Sequence, residues 1–261
     1  MEDETHGILI KIVSLKGKVA LITGGAEGLG KNYSIALSLY GADIFIVSRT
    51  QKGWEETQKI VEDNGQKIGF LQKDITEPGA AKETVAAVVK QFGHLDILVN
   101  NAGMQLRNDV LDFKDEDWQK VINLNLTALY YMSHEAAKVM AGQKSGKIIN
   151  IGSMQSYRAG KFIFPYTASK HGVLGLTKAY ADALAEYNIQ VNALAPGYIK
   201  TNMTKALQDD PVRGPEIKGH IPSGEWGVPE QLMGPMVFLA SQASDYVTGV
   251  MLPVDGGYLL R

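Results

Sequence analysis

From Lys18 onward the chain alternates between short unbroken apolar runs and longer segments whose apolar residues recur every three or four positions. The first kind reads as strands covered on both faces, the second as helices with one buried stripe. KVALIT (18–23), DIFIVS (43–48), KIGFLQ (67–72), LDILVN (95–100), GKIINIGS (146–153), IQVNALA (189–195) and VMLPVDGG (250–257) supply seven strands. Residues 28–41, 53–65, 80–93, Asp115 to Ala141, Pro165 to Tyr187 and 229–241 read as helices, the first two closed by Gly41 and by Asn64-Gly65. Strands alternating with helices predict an α/β chain: one doubly wound, parallel, seven-stranded sheet with helices on both faces. No linker or repeat interrupts it, so residues 15–261 are expected to form one domain behind an N-terminal extension over 1–14. In such a sheet, ligands bind beyond the carboxyl ends of the strands, near the point where strand order reverses.

Composition narrows the possibilities. A net charge of −2 gives no reason to expect nucleic acid. Cysteine is absent, which excludes disulfides and thiolate chemistry and fits a reducing, cytoplasmic setting. No run of 18 apolar residues is present to span a membrane, and the first residues lack the pattern of a signal peptide. The five histidines (6, 94, 134, 171, 220) are scattered without metal-ligand spacing, so no metal is expected. His171 reads as a solvated or capped helix residue.

Two features carry candidate chemistry. TGGAEGLG (23–30) joins the first strand to the first helix and spaces Gly24, Gly28 and Gly30 as G-x-x-x-G-x-G. Such a turn lets the backbone approach a diphosphate and aims helix N–H groups at it. The second feature is Tyr166 and Lys170, one helical turn apart on one face. Tyr157 and Lys161 have the same spacing, so spacing alone does not choose between the pairs.

Together with NNAG (100–103), NLT (125–127), Ser153, YTASK (166–170), PG (196–197) and VDGG (254–257), the glycine turn stands in an order that resembles the short-chain dehydrogenases/reductases, over residues 15–261. The resemblance implies a Rossmann-type fold and NAD(P)-dependent hydride transfer between nicotinamide and a secondary alcohol or ketone. It selects Tyr166, because the family serine lies thirteen residues before the family tyrosine and Ser153 stands at that distance. Asn125, Ser153, Tyr166 and Lys170 then form the implied catalytic set. Tyr166 carries the proton, Lys170 lowers its pKa and holds ribose hydroxyls, Ser153 fixes the substrate oxygen, and Asn125 holds a water behind the lysine. Asn123 and Asn100 read as structural.

By the same resemblance Gly24, Glu27, Gly28, Leu29, Gly30, Ser48, Arg49, Asp74, Ile75, Asn101, Ala102, Gly103, Tyr166, Lys170, Pro196, Gly197, Ile199 and Thr201 bind the cofactor. Ser48-Arg49 after the second strand favours NADP, whereas Glu27 would repel a 2′-phosphate or neutralise Arg49, so NAD and NADP stay open. The C-terminal half is similar to sugar-acid members of the family, those acting at C5 of 2-dehydro-3-deoxy-D-gluconate or of gluconate. Ser153, Tyr166 and Arg107 are the expected substrate contacts, with Arg107 on a carboxylate or paired to Asp109 or Asp112. Glu225 stands where such members carry Arg, which weakens that assignment. Residues 197–226 read as a long irregular lid. Other polyol or 3-ketoacyl reductases, and a dinucleotide-binding sensor without turnover, are the alternatives. Apolar residues beyond one stripe on the third and second last long helices (Leu124, Leu126, Leu129, Tyr130, Tyr131 and Met132; Val173, Leu174, Leu176, Tyr180 and Leu184) predict a homo-oligomer, a tetramer by resemblance.

Overall fold

A computed structural model describes Ile8 and residues 11–261. Most of the expected extension lies outside the described residues; within it, residues 11–13 are helical, and Leu15 already belongs to the core. Seven strands form one sheet: β1 (Val19–Thr23), β2 (Asp43–Ser48), β3 (Ile68–Gln72), β4 (Ile97–Asn100), β5 (Gly146–Ile151), β6 (Ile189–Pro196) and β7 (Met251–Val254). Their order is β3-β2-β1-β4-β5-β6-β7 and every pairing is parallel.

The unbroken apolar runs have a simple cause. Ala20 and Ile22 of β1, Ile44 and Ile46 of β2, and Ile97 and Val99 of β4 enter one core. Their neighbours Val19, Leu21, Phe45, Val47 and Leu98 enter the other. With both faces covered, alternation of side chains brings no alternation of polarity. The first core is closed by α1 (Gly28–Leu39), α2 (Trp54–Asp63) and α9 (Met233–Ala240), through Tyr33, Leu37, Val61, Met236 and Leu239. The second is closed by α3 (Ala80–Phe92), α5 (Leu129–Gln143) and α6 (Phe164–Leu184), through Val85, Val88, Met132, Met140 and Ala181.

Two expected elements differ. The helix from Asp115 is α4 (Asp115–Ile122), then a π-helical stretch over Asn123–Ala128, then α5. Three acidic residues in its first turn favour the start. The wider π turn carries Asn125 to a position only 1 % exposed. The lid contains two short helices, α7 (Lys205–Gln208) and α8 (Arg213–His220), rather than irregular chain. Pro215 sits inside the first turn of α8, where its missing N–H costs no bond.

Candidate active site

The sheet order reverses direction between β1 and β4, and a cleft of about 1340 Å³ opens beyond the carboxyl ends there. Thr23 stitches the two strand ends together. Its hydroxyl accepts from the backbone N–H of Asn101 and Ala102, and its carbonyl takes Asn101 Nδ2 at 2.9 Å. Asn101 lines the cleft, but its amide N–H groups serve Thr23 and Gly24. The side chain therefore supports the glycine turn.

Gly24, Glu27, Gly28, Leu29, Ser48, Arg49, Asp74, Ile75, Asn101, Ala102 and Gly103 line one end of the cleft. Ser153, Tyr166, Lys170, Pro196, Gly197, Ile199, Thr201 and Arg107 line the other. Gly30 does not line it. A Cβ there would lie 2.1 Å from the Gly24 carbonyl oxygen, so this glycine allows the turn to lie against the helix. The start of α1 has no side-chain cap and no acidic residue in its first turn. Gly28, at φ +53°, leaves open space where a side chain would stand. This uncapped helix end behind a bare backbone fits a dinucleotide diphosphate.

The charges around Glu27 and Arg49 answer the Glu27 question in part. Glu27 pairs with Lys52 at 2.7 Å, and not with Arg49. Arg49 has no ion pair among the described residues, although its charge reaches Asp74. Burial would raise the Asp74 carboxyl; hydrogen bonds from Thr76 and the nearby Arg49 outweigh it and hold the group below its ordinary value.

At the other end, β5 delivers Ser153 and α6 delivers Tyr166 and Lys170. Ser153 caps a short helical turn, accepting from the Gln155 N–H at 3.1 Å. Its side chain lies close enough to the Tyr166 hydroxyl to act on it. Burial raises the Tyr166 phenol above its ordinary value, and the nearby Ser153 hydroxyl opposes this only in part. Lys170 is 4 % exposed and donates one bond, to the Ile151 carbonyl at 2.6 Å. Burial lowers its pKa to about 8, so desolvation weakens the ammonium expected to acidify the phenol. The Nζ lies 5.5 Å from the centroid of the Tyr166 ring.

Asn125 lies behind these residues and does not line the cleft. Its Oδ1 accepts from Met104 N at 2.8 Å, and its Nδ2 donates to the Met104 carbonyl and to Ser169 Oγ. Both amide N–H groups are thus engaged with protein. Asn123 sits on the surface with Gln119, and Asn100 reaches Asn150 on the neighbouring strand. Tyr157 lies outside the main cleft, its hydroxyl donating to the Met251 carbonyl at 2.8 Å. His171 bonds the carbonyl one turn back. Glu225 pairs with Lys218 outside the cleft lining, so it does not oppose an anion inside. Arg107 pairs with neither Asp109 nor Asp112.

A profile of the short chain dehydrogenases matches residues 18–212. The chain belongs to the short-chain dehydrogenase/reductase family. This dehydrogenase is 50 % identical to the uncharacterized oxidoreductase YgcW of Escherichia coli over 95 % of both chains. It is 45 % identical to the 2-dehydro-3-deoxy-D-gluconate 5-dehydrogenase of Escherichia coli, over 97 % of this chain and 100 % of that one. A gluconate 5-dehydrogenase from Burkholderia cenocepacia, solved in complex with NADP and tartrate, superposes with a TM-score of 0.93 at 36 % identity, covering 97 % of this chain and 99 % of the other.

The sequence reading missed Thr23, Gln155, Tyr198 and Tyr258, and two arginines, Arg158 and Arg213, that line the cleft. Scarcity was the available signal for the arginines. The chain has only Arg49, Arg107, Arg158, Arg213 and Arg261, and the first four line the cleft.

Proposed function

We propose that the protein is an NAD(P)-dependent dehydrogenase acting on a secondary alcohol, or the matching ketone, of a sugar acid such as 2-dehydro-3-deoxy-D-gluconate or gluconate. The observation that carries this reading is one cleft that joins the uncapped glycine turn to Ser153, Tyr166 and Lys170 and ends in arginines with no carboxylate partner among the described residues. A bound nicotinamide dinucleotide supplies or accepts the hydride. Ser153 holds the substrate oxygen within reach of Tyr166. Tyr166 gives the proton to that oxygen in reduction and removes it in oxidation. Lys170, one bond spent on Ile151, has two N–H groups left for ribose hydroxyls and for the phenolate as it forms. Asn125 acts through Met104 and Ser169 as a positioning residue. Gly24, Gly28 and Leu29 receive the diphosphate; Asp74, Ile75, Ala102 and Gly103 flank the adenosine; Pro196, Gly197, Ile199 and Thr201 flank the nicotinamide. Arg49, free of ion pairs among the described residues while Lys52 offsets Glu27, favours NADP. Arg107 meets the substrate carboxylate.

Residues 15–261 work as one domain in this reading, in the cytoplasm, where a cysteine-free chain loses nothing to reducing conditions. Among the described residues no helix is long and apolar enough to cross a membrane. The working form is a homo-oligomer, a tetramer for preference.

A panel read at 340 nm tests the function. Both cofactors are run against 5-keto and 5-hydroxy sugar acids and against neutral polyols. The expected result is turnover of a sugar acid, faster with NADP than with NAD. Cofactor binding without turnover of any member would favour the sensor alternative, and turnover of neutral polyols alone would remove the sugar-acid assignment.

A further inference from the structure

The ion pairs among the described residues use lysine or histidine as the cation, and none uses arginine. Three of these unpaired guanidinium groups, Arg107, Arg158 and Arg213, meet at the substrate end of the cleft. They reach it from three separate elements: the loop after β4, the loop after β5, and the start of α8. Arg107 is held below the ordinary arginine value by burial and then by the charge of Arg213, so the two cations are close enough to repel. The Arg213 Nε is buried with no hydrogen-bond partner among the described residues. Repulsion and an orphaned donor are both relieved by one anion shared between the forks.

The third guanidinium is held by a ring. Arg158 lies over Tyr258 at 4.8 Å from the centroid. Tyr258 is 7 % exposed and is packed by His220 at 4.5 Å and Tyr198 at 5.1 Å. It stands on the short C-terminal turn Tyr258–Leu260, which Asp255 anchors by accepting from the backbone N–H of Gly257 and Leu259. Burial first, with Tyr258 beside it, pushes Tyr198 up to about 12, while Arg213 and Arg158 act the other way. Both arginines therefore flank the same neutral phenol. An aromatic face orients a guanidinium without spending its N–H groups, which a carboxylate partner would consume. The stacked cation keeps its fork for a planar oxyanion.

We propose that Arg107, Arg158 and Arg213 form a carboxylate-binding subsite, and that Tyr258 on the C-terminal turn is the positioning residue that holds Arg158 in it. The inference rests on the sugar-acid reading of this cleft. It extends that reading from one arginine to three and adds the chain's last turn to the specificity machinery.

The test titrates tartrate calorimetrically into the full-length protein saturated with NADP. Wild type, Arg158→Ala, Arg158→Lys, Arg213→Ala, Tyr258→Leu and Tyr258→Phe are compared. The two alanine variants are expected to weaken tartrate by about tenfold or more, and Arg158→Lys, which keeps the charge without the fork, by somewhat less. Tyr258→Leu weakens it by about fivefold, while Tyr258→Phe, which keeps the ring, stays within about twofold. NADP affinity is unchanged in every folded variant. With a sugar acid found active in the panel, KM rises in parallel while kcat moves little. The titration needs no turnover, so it reads the subsite even where the panel finds no active sugar acid. No tartrate binding to wild type, or equal binding to wild type, Arg158→Ala and Arg213→Ala, overturns the subsite. Equal losses in Tyr258→Leu and Tyr258→Phe overturn the role of the ring. An active sugar acid whose KM is untouched by both alanine variants removes the subsite and leaves the proposed function standing.

Discussion

Single residues decide which of two identical spacings is chemical. Tyr157 and Tyr166 each precede a lysine by four, yet one hydroxyl is spent on the Met251 carbonyl and the other faces Ser153 in the cleft. Tyr166→Phe is expected to lower kcat by 10²–10⁴-fold with cofactor affinity nearly intact, because it removes a proton carrier and almost no volume. Tyr157→Phe keeps most activity; the reverse ranking in steady-state assays would exchange the two roles. Lys170 has a second measurable signature. Its folded-state pKa of about 8 lies below the ordinary 10.5. Between those values the unfolded chain holds a proton that the folded chain has released, so this group makes stability rise with pH across that window. Below it, the cost of burying the cation is fully present. Lys170→Met removes the cost. Its stability relative to wild type should therefore fall by about 1–3 kcal/mol between pH 7.5 and pH 10 in urea unfolding. A difference that stays constant with pH would mean that the lysine is not desolvated as its burial implies.

At the scale of elements, the sequence made the central strands and long helices legible because each carries its own signal. A doubly covered strand such as β1 is apolar throughout, and α3 and α6 repeat on a helical period. The lid was illegible because α7 and α8 are each at most eight residues long, too short to show a period, and rich in polar residues. The π turn was illegible because one wider turn leaves no trace in composition, and the burial of Asn125 depends on Met104 from a distant loop. The motif residues converge on one cleft. Arg158, Arg213 and Tyr258 gather only through tertiary packing of the lid and the last turn. Gly197 shows how tightly these parts are joined. A Cβ on it would lie 2.6 Å from the Asp255 Cα, and its N–H donates to the Val254 carbonyl. Gly197→Ala must push β6 away from the turn that carries Tyr258. Its expected cost is about 1–3 kcal/mol, seen as a lower melting temperature. Gly234→Ala in α9 meets nothing within 4 Å and is the control, neutral or stabilising by up to about 1 kcal/mol. Equal melting temperatures for wild type and Gly197→Ala would show that the β6–β7 junction has slack.

For the whole molecule, the apolar residues that led to an oligomer in the sequence divide into two sets. Leu129, Met132 and Val173 are buried within the subunit, and Leu126, Leu174 and Leu176 pack partly against the cluster that holds Leu129 and Val173. These need no partner. Tyr130 and Tyr131 remain 38 % and 51 % exposed on α5, with Tyr130 packed against His134 and against Tyr180 of α6. An aromatic patch on two adjacent long helices suits a self-complementary contact, in which the patch of one copy meets that of the next. Two further apolar points, Tyr246 and Leu260, lie well exposed on segments flanking β7 and supply the material for a second contact. Two independent self-complementary contacts on one subunit close into a tetramer, and one closes into a dimer. Light scattering at micromolar concentration is therefore expected to give four times the 28.4 kDa chain mass. Tyr131→Asp, which sets two like charges facing across the first contact, should reduce that mass by half or more without unfolding the subunit, because Tyr131 takes no part in the buried core. A wild-type mass equal to one chain would reject the assembly outright. A Tyr131→Asp protein that keeps the full wild-type mass would move the first contact away from α5.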